Sequence, residues 1–489
     1  MAHTEKDSEL LLGLITTVGT ATEDVILALE DQLKLFNYRV ETINVSEIII
    51  AQFEDTSVSF SSEYERVSHY MDLGNRIRKE TNDGSILMKG VSSYLYKNRD
   101  KDDNGNTMPR KRVAYIIKSL KHPDEVTYMR DTYGFGFHLI GITSSHQRRI
   151  QYLHDRKGLS EKQAEELLRR DENEETKKGQ HTQDAFQLSD YFINITGDGD
   201  QTYNSVARLT DLLFGNPFIS PTFDEYAMFM AYASSLRSAD LSRQVGAVIA
   251  KDNEILSMGA NDCPKFGGGL YWPVLMENGK YEDLPDGRDY MLGYDSNKIE
   301  QRKIIDSLLN VFNIEINEES VKRVKSTGIG DLTEYGRVVH GEMEALLSCS
   351  RNNISCRNAT LYVTTFPCHN CAKHIIAAGI SHVVYIEPYP KSKAFDFYKA
   401  EISPEKENGK VIFEPFTGVG PKRFTDLFSV SSTMWYAKIR KDSQGKKIEW
   451  NRATAELRNP IPLLNYLDAE SNAFMIFEDE TIAIRGEKR

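Results

Sequence analysis

Short hydrophobic runs alternate with amphipathic stretches along the first 215 residues. The run Leu10–Ile15 is followed by a Gly/Thr loop, the amphipathic segment Val25–Leu35 and the run Arg39–Val45. Short apolar runs predict buried strands, and apolar positions three and four residues apart predict a helix. Two further runs, Val113–Ile117 and Phe137–Ile142, predict additional buried strands. Since strands that alternate with helices are typical of α/β domains, we expect a parallel sheet with flanking helices.

The pattern changes near residue 223, after a segment rich in turn-forming residues. The second half predicts a helix over Tyr226–Leu236 and a strand, turn and strand from Val245 onward. Residues 263–339 form a long insertion before the next predicted strand, Leu361–Thr364. We therefore divide the chain into residues 1–215, residues 222–430 and a C-terminal extension, 431–489.

Length and charge exclude several classes of protein. A chain of 489 residues is too long for one compact core. No stretch approaches the roughly 18 to 20 apolar residues of a membrane span, and no secretory leader is visible, so we expect a cytoplasmic protein without membrane contact. The net charge of −12 repels phosphate backbones, which favours a small substrate over stable binding to nucleic acid.

Cysteine placement indicates a metal site. Five cysteines in so long a chain do not form a disulfide framework, but Cys368 and Cys371 stand three residues apart. With His340, Glu342 and Pro367 they complete the pattern H-x-E…P-C-x-x-C, which is typical of zinc-dependent base deaminases. Two thiolates and one imidazole leave a fourth tetrahedral position for water, the open arrangement of catalytic zinc. Zinc makes such a water a hydroxide near neutral pH.

The carboxylate of Glu342 is the catalytic residue that this pattern predicts. Located two positions after the histidine ligand, it can take the proton of the water, deliver it to the ring nitrogen and then to the departing ammonia. The alternative is a structural zinc ribbon, or a redox C-x-x-C pair, that uses the same cysteines. Neither alternative gives Glu342 a role.

The segment from about residue 223 to 416 resembles the cytidine/deoxycytidylate deaminase superfamily, in its deoxycytidylate branch. The resemblance rests on Ser242–Ile249, on Gly259–Pro264 and on the zinc motif, in that order. It implies an α/β/α domain with a central mixed sheet, one zinc ion and a nucleoside contact at Asn261. Arg243 is a further substrate-binding residue under this reading. The alternatives are a turn residue at Asn261 and a surface ion-pair residue at Arg243.

Two lysines are candidates for phosphate binding. Lys391 and Lys393 follow a predicted strand at the place where related enzymes handle sugar and phosphate. The alternative is that both are solvated loop lysines. Many deoxycytidylate deaminases hold a second, structural zinc in the segment that corresponds to 263–339, where this chain offers only Cys263. We therefore do not expect a second zinc.

The first 200 residues resemble the P-loop nucleotide and dephospho-coenzyme A kinases. Gly13 to Gly19 and Thr20 stand at the position of the phosphate loop, and the run Ala164–Asp171 is similar to a kinase lid. The resemblance implies a P-loop kinase-like parallel sheet. Gly13, Gly19 and Thr20 are then the candidate nucleotide-binding residues.

The segment that resembles a phosphate loop lacks the two side chains that bind phosphate and magnesium in such loops. Thr22 holds the place of the loop lysine, and Glu23 holds that of the magnesium-binding serine or threonine. We expect a degenerate, regulatory domain that binds an anion or nucleotide without transferring phosphate. The helix N-terminus after Thr20 and the arginines 148, 149 and 156 are its candidate contacts.

This two-domain order resembles the bacterial anti-phage dCTP deaminases. The resemblance implies conversion of dCTP to dUTP and ammonia, which depletes the dCTP pool during infection, and we also expect a homo-oligomer. A dCMP deaminase of pyrimidine metabolism is the main alternative. A polynucleotide deaminase acting on a flipped base and a non-catalytic nucleotide sensor remain as further alternatives.

Overall fold

The computed structural model describes residues 7–54, 58–172, 181–389, 392–431, 438–462 and 466–486. The chain divides into two compact units, one of Met1–Glu225 with Thr417–Arg489 and one of Tyr226–Phe416. Among the described residues, no helix combines the length and the apolar character needed to cross a membrane.

The amino-terminal part of the first unit alternates strands and helices. Its elements are β1 (Leu10–Thr16), α1 (Glu23–Leu35), β2 (Arg39–Asn44), α2 (Glu63–Glu80), α3 (Ile86–Lys97), β3 (Asp100–Lys101), β4 (Thr107–Met108), β5 (Val113–Leu120), α4 (Pro123–Tyr133), β6 (Phe137–Ser144), α5 (His146–Lys157), α6 (Glu161–Glu172), α7 (Thr182–Phe186), β7 (Tyr191–Ile195) and α8 (Gly199–Leu213).

The second unit carries the predicted strand, turn and strand and the long insertion. Its elements are α9 (Phe223–Ser235), β8 (Gly246–Lys251), β9 (Glu254–Ala260), β10 (Val274–Leu275), β11 (Tyr281–Glu282), α10 (Asp289–Leu292), α11 (Ser296–Val311), α12 (Glu318–Lys325), α13 (Gly341–Arg351), β12 (Thr360–Thr365), α14 (His369–Ala377), β13 (His382–Glu387), α15 (Ala394–Phe397), β14 (Ile402–Ser403) and β15 (Val411–Pro415). The chain then returns to the first unit with β16 (Gly418–Val419), α16 (Phe424–Phe428) and α17 (Tyr466–Arg485).

The sheet of the first unit has the strand order β16-β7-β6-β1-β5-β2. The five strands from β7 to β2 are parallel, as the apolar runs predict, and β16 pairs antiparallel with β7 at one edge. Every residue of β1 is buried, because a central parallel strand is covered by helices on both faces. This burial explains why the strand is continuously apolar and does not alternate.

The C-terminal tail completes the first unit. The sequence-based division sets 431–489 apart as an extension, whereas the structure groups all of 417–489 with residues 1–225. Helix α17 packs against α3, where Phe477 is fully buried. A Cβ at Gly90 of α3 would lie 2.5 Å from the Phe477 ring, so this close approach requires glycine.

The second unit is built on a mixed sheet with the order β14-β15-β13-β12-β8-β9. Strands β12 to β15 are parallel, and β8 runs antiparallel to both β12 and β9. Helix α13 packs against β8 and β9. A Cβ at Gly259 of β9 would lie 2.2 Å from the carbonyl oxygen of Gly341, so glycine permits the close seat of the helix that follows His340.

Candidate active site

Two helix N-termini carry the predicted zinc ligands. His340 is the N-cap residue of α13, and Glu342 lies in the first turn of that helix. Cys368 is the N-cap residue of α14, which starts just after β12, and Cys371 lies in its first turn. Both helices therefore direct their positive ends toward one place, where thiolates are favoured.

The structure brings the three predicted ligands together. The Nδ1 atom of His340 lies 3.5 Å from the Sγ of Cys368 and 3.3 Å from the Sγ of Cys371. Ligand atoms of a tetrahedral zinc ion lie roughly 3.5 Å apart, because Zn–S and Zn–N bonds are about 2.3 and 2.1 Å long. The donor set and its spacing therefore fit zinc. Among the described residues, this is the one such group of three or more His, Cys, Asp or Glu side chains.

Hydrogen bonds among the three ligands shift their pKa values. A hydrogen bond from Cys371 and one from His340 lower the pKa of Cys368 to about 4. The hydrogen bond to Cys368 raises the pKa of His340 to about 9, and the same thiolate holds the pKa of Cys371 well above its usual value. Of the three ligands, Cys368 is therefore the one whose charged thiolate form is most strongly favoured.

Glu342 lies beside the cluster without belonging to it. Its side chain is 4% exposed and hydrogen-bonds with Cys371. Burial raises the pKa of this carboxyl, and the positive charge of His340 partly offsets that rise. A carboxyl group with a raised pKa in a cleft is suited to accept and return protons near neutral pH.

A cleft opens onto these residues. Its cavity volume is about 340 Å³, which lies within the range of small-molecule sites. His340, Glu342 and Cys368 form its floor, and Phe366 and Tyr389 supply aromatic surface. The insertion forms much of one wall, which contains residues 289, 295, 297, 298, 330, 332, 333, 336 and 338.

Asn261 lines the cleft, and its side-chain amide forms hydrogen bonds with two backbone groups. Its Oδ1 accepts from the backbone N–H of Val245 at 2.7 Å, and its Nδ2 donates to the carbonyl of Arg243 at 2.8 Å. These bonds hold the segment before β8 against the end of β9. The second N–H of the same amide has no partner among these bonds, so a structural and a substrate-binding role are compatible.

Arg243 lies at the rim of the cleft. Its side chain is 54% exposed, and Nη1 lies 3.3 Å from a carboxylate oxygen of Glu387. The guanidinium also stands 5.6 Å from the centre of the Tyr389 ring. The ion pair of the alternative interpretation is therefore present, yet the residue also borders the cleft.

Of the two loop lysines, only Lys393 lies among the described residues. Lys393 is 58% exposed, lies 3.6 Å from Asp396 and is not among the residues that line the cavity. Lys391 lies outside the described residues. The cleft contains a different lysine, Lys298 of α11, which the sequence analysis missed because it lies within the insertion. Helix α11 begins with the N-cap Asp295, and that capping pattern is the one sequence signal that marks this segment.

Of the three residues predicted to form the phosphate loop, Gly19 and Thr20 lie together, whereas Gly13 lies apart from them. Gly13 lies inside β1, where a Cβ would be 2.8 Å from the Phe137 ring, so this glycine serves packing. Gly19, with a φ of +83°, and Thr20 lie in the loop before α1 and line a cavity. Of the three candidates, only Gly13 lies away from that cavity.

The comparisons with known proteins concern the second unit. Residues 221–387 match the family of the cytidine and deoxycytidylate deaminase zinc-binding region. The deoxycytidylate deaminase of Enterobacteria phage T2 is 30% identical over 164 residues, which cover 34% of this chain and 79% of the phage protein. The deoxycytidylate deaminase of Mus musculus is 27% identical over 206 residues, which cover 42% of this chain and 81% of the mouse protein. The solved apo dCMP deaminase of cyanophage S-TIM5 is 19% identical with a TM-score of 0.23, and the match covers 40% of this chain and all of that one.

A His/Cys/Cys cluster on a mixed sheet, within a matched deaminase region, defines the second unit as a zinc-dependent deaminase. The chain belongs to the cytidine and deoxycytidylate deaminase family. The matched region starts at residue 221, so the identification does not extend to the amino-terminal sheet.

Proposed function

We propose that this protein hydrolyses the exocyclic amino group of the cytosine base in deoxycytidine nucleotides, with dCTP as the principal substrate. The observation that carries the proposal is the buried carboxylate of Glu342 beside the zinc-ligand cluster, at the floor of a cleft of small-molecule size. The resemblance to named deoxycytidylate deaminases supports the cytosine base and the deoxyribose. The preference for the triphosphate rests on the resemblance of the two-domain order to the anti-phage dCTP deaminases.

The chain's own residues divide the reaction between them. His340, Cys368 and Cys371 would hold the zinc ion, which would supply the Lewis acid that makes a water molecule nucleophilic near neutral pH. Glu342 takes one proton from that water and gives it to N3 of the ring, where it stays in the uracil product, and then carries the remaining proton of the water-derived hydroxyl to the leaving amine. Oxygen bonds to C4, the C4–N4 bond breaks, and the products are a uracil nucleotide and ammonia.

Cleft residues position the substrate in this proposal. Phe366 and Tyr389 offer surfaces for the base, and the remaining N–H of Asn261 offers a donor to the sugar. Arg243 and Lys298 are the cations that line the cleft, so they are the proposed phosphate contacts. Lys391 and Lys393 are retained as secondary phosphate candidates only for a longer phosphate chain.

A substrate panel tests the proposal. The purified, zinc-loaded chain is incubated with dCTP, dCDP, dCMP, CTP, deoxycytidine and single-stranded DNA, and products are weighed by mass spectrometry. We expect the highest kcat/KM with dCTP and none with Glu342→Gln. A preference for dCMP would instead favour the role in pyrimidine metabolism, and no deamination of any free nucleotide would overturn the proposal.

Polynucleotide deamination is the second candidate that the same panel decides. The net charge of −12 opposes binding to a phosphate backbone. Salt-dependent binding of single strands and turnover of a cytosine within them would favour this candidate over the free nucleotide.

The biological part of the proposal is depletion of dCTP during phage infection. It rests on the resemblance of the whole two-domain arrangement. We expect cells that express the wild-type chain to lose dCTP after infection and to restrict phage plating. Cells with Glu342→Gln would do neither, and equal plating on both strains would contradict the antiviral role.

A further inference from the structure

A carboxylate lies behind the rim of the deaminase cleft, at the last residue of β13. Glu387 stands opposite Thr365, the last residue of β12, in the register of these two parallel strands. Its Oε2 accepts a hydrogen bond from the hydroxyl of Thr365 at 3.0 Å, and its Oε1 accepts from Nη1 of Arg243 at 3.3 Å. Thr365 and Arg243 line the cleft, whereas Glu387 is not among its lining residues. The carboxylate therefore acts on the cleft through these two side chains.

The hydroxyl of Thr365 is left as an acceptor by this contact. A threonine hydroxyl has one proton and two lone pairs, and a carboxylate can only accept. Because the proton of Thr365 goes to Glu387, its oxygen keeps lone pairs and has no proton to donate. No N–H or O–H of a described residue donates to that oxygen. Thr365 can therefore accept a hydrogen bond from a molecule in the cleft.

The preceding threonine shows the structural use of the same side chain. The hydroxyl oxygen of Thr364 accepts from the backbone N–H of Gly246 at 3.1 Å, which joins the end of β12 to the start of β8. Thr364 is not among the residues that line the cleft. Of these two neighbouring threonines, Thr365 is thus the one that the backbone does not use.

Contacts around Glu387 fix the position of its carboxylate. Its side chain is 22% exposed, and its backbone oxygen accepts from the N–H of Phe366 at 2.7 Å. Phe366 also lines the cleft and is a proposed surface for the base. The end of β13 therefore holds both the hydroxyl of Thr365 and the backbone of the next residue in place.

Two links place Thr365 beside the sugar of the proposed substrate. Thr365 shares the carboxylate of Glu387 with Arg243, which is a proposed phosphate contact. The amide of Asn261, whose remaining N–H is the proposed sugar contact, donates to the carbonyl of the same Arg243 at 2.8 Å. The sugar is the part of a nucleotide that lies next to the phosphate. Asn261 and Thr365 are therefore both near the sugar.

A free 3′-hydroxyl fits these two partners. A hydroxyl group accepts and donates at the same time, so it can take the remaining N–H of Asn261 and give its proton to Thr365. The deoxyribose of a free nucleotide carries one such group, at C3′. In an internal nucleotide of a strand this oxygen is esterified and has no proton to donate.

We propose that Thr365 accepts a hydrogen bond from the free 3′-hydroxyl of the substrate and so selects free nucleotides over nucleotides within a strand. Glu387 is a positioning residue, because it acts through the hydroxyl of Thr365 and does not touch the substrate. This role rests on the proposed function and adds a determinant of substrate class to it.

Paired substrates test the contact. The zinc-loaded chain receives dCTP and dCMP, each beside its 2′,3′-dideoxy counterpart, and kcat/KM is measured for all of them. We expect the wild-type chain to prefer the 3′-hydroxyl at least about tenfold, because its loss leaves both Thr365 and Asn261 without a partner. Deoxycytidine 3′,5′-bisphosphate, whose 3′-oxygen is esterified, is expected to be poorer than dCMP by a similar factor.

Variants at the ends of β12 assign the preference to Thr365. Thr365→Val keeps the shape of the side chain without the acceptor and is expected to lower the preference at least about threefold, whereas Thr365→Ser retains it. Glu387→Ala, which frees the hydroxyl to turn, is expected to lower it as well. Thr360→Val, at the opposite end of β12, is the matched control and should leave the preference unchanged. Zinc content and the urea midpoint check that each variant is folded.

Three results would overturn the proposal: a wild-type preference below about threefold, a preference that survives Thr365→Val, or equal use of dCMP and its 3′-phosphorylated form. Binding of the same nucleotides to the Glu342→Gln chain separates this contact from the deamination itself. A 3′-hydroxyl preference in binding without turnover in the wild-type chain would reject the proposed deamination alone. Normal turnover without any preference would reject the contact alone, and no binding of any nucleotide would reject both.

Discussion

Arg99 and Glu470 form a fully buried ion pair although 371 residues separate them. The Nε and Nη2 atoms of Arg99 donate to the two carboxylate oxygens of Glu470 at 2.6 and 2.7 Å. The third nitrogen, Nη1, donates to Glu9 at 2.7 Å, and Tyr133 donates to Glu470 at 2.8 Å. One guanidinium thus ties α17 to the residue just before β1.

Removing the cation of this network should destabilise the first unit. Arg99→Met would leave the carboxylates of Glu9 and Glu470 buried without a cation, and breaking a buried pair in this way costs about 3–5 kcal/mol. We expect a large fall in the urea midpoint of unfolding.

Lys97→Met provides the matched control. Lys97 of α3 forms an exposed ion pair with Glu478, which lies in α17 as Glu470 does. Exposed pairs contribute at most about 1 kcal/mol. Equal shifts in the two variants would show that the tail does not depend on the buried network.

The zinc site was predictable from sequence, whereas the attachment of the tail was not. Cys368 and Cys371 are three residues apart, and one helix turn brings such positions together. A short segment of sequence is therefore enough to predict that both are ligands. Glu470 and Arg99 come together only when the chain folds, because 371 residues separate them. No local sequence pattern predicts a contact between residues so far apart. The same reason explains Lys298: a cleft wall made by an insertion has no fixed spacing from the motif that it covers.

The apolar sequence pattern predicts a strand most clearly where both faces of that strand are buried. The run Leu10–Ile15 is apolar because both faces of β1 are covered, and it became β1. Glycine is typical both of phosphate loops and of tightly packed strands, so the sequence alone predicts a phosphate-loop role for Gly13. The Phe137 ring beside it shows that space for packing selects glycine at this position.

Substitutions at the zinc site should separate metal binding from catalysis. Cys371→Ser should lose both zinc and activity, because the softer thiolate is replaced by a hydroxyl in the ligand set. Glu342→Gln should keep about one zinc per chain and lose at least about a hundredfold in kcat, since proton transfer contributes about that much or more. Zinc content is measured by plasma mass spectrometry alongside the deamination rate.

Cys356→Ala is the control for these variants, because its sulfur lies outside the cluster and donates to the carbonyl of Ala378. It should retain zinc and activity. Full zinc occupancy in Cys371→Ser, or near-normal turnover in Glu342→Gln, would refute the assigned roles.

Lys298 should affect the KM for nucleotides and not for the nucleoside. A lysine on a phosphate acts as a point charge, and losing a charge-assisted hydrogen bond of about 1.5 kcal/mol raises KM roughly tenfold. We expect Lys298→Ala to show this rise with dCTP or dCMP and to leave deoxycytidine unchanged. Lys303→Ala is the matched control, since this exposed lysine of the same helix pairs with Glu300 and is not among the residues that line the cleft. Lys393→Ala is measured beside them. A larger effect of Lys393 than of Lys298 would favour the loop lysine as the phosphate contact.

We expect the first unit to bind an anion or nucleotide without transferring phosphate. Thr22, at the start of α1, offers no cation to a γ-phosphate, and Glu23 in the next position is acidic where magnesium and polyphosphate need a neutral ligand. Lys121, which lies near the end of β1, is already engaged by Thr16 and Asp171. We therefore expect no labelled product when the Glu342→Gln chain is incubated with γ-labelled ATP, magnesium and each deoxynucleoside monophosphate. Labelled diphosphate that forms only when a deoxynucleoside monophosphate is added would demonstrate a working kinase in this unit and defeat the prediction.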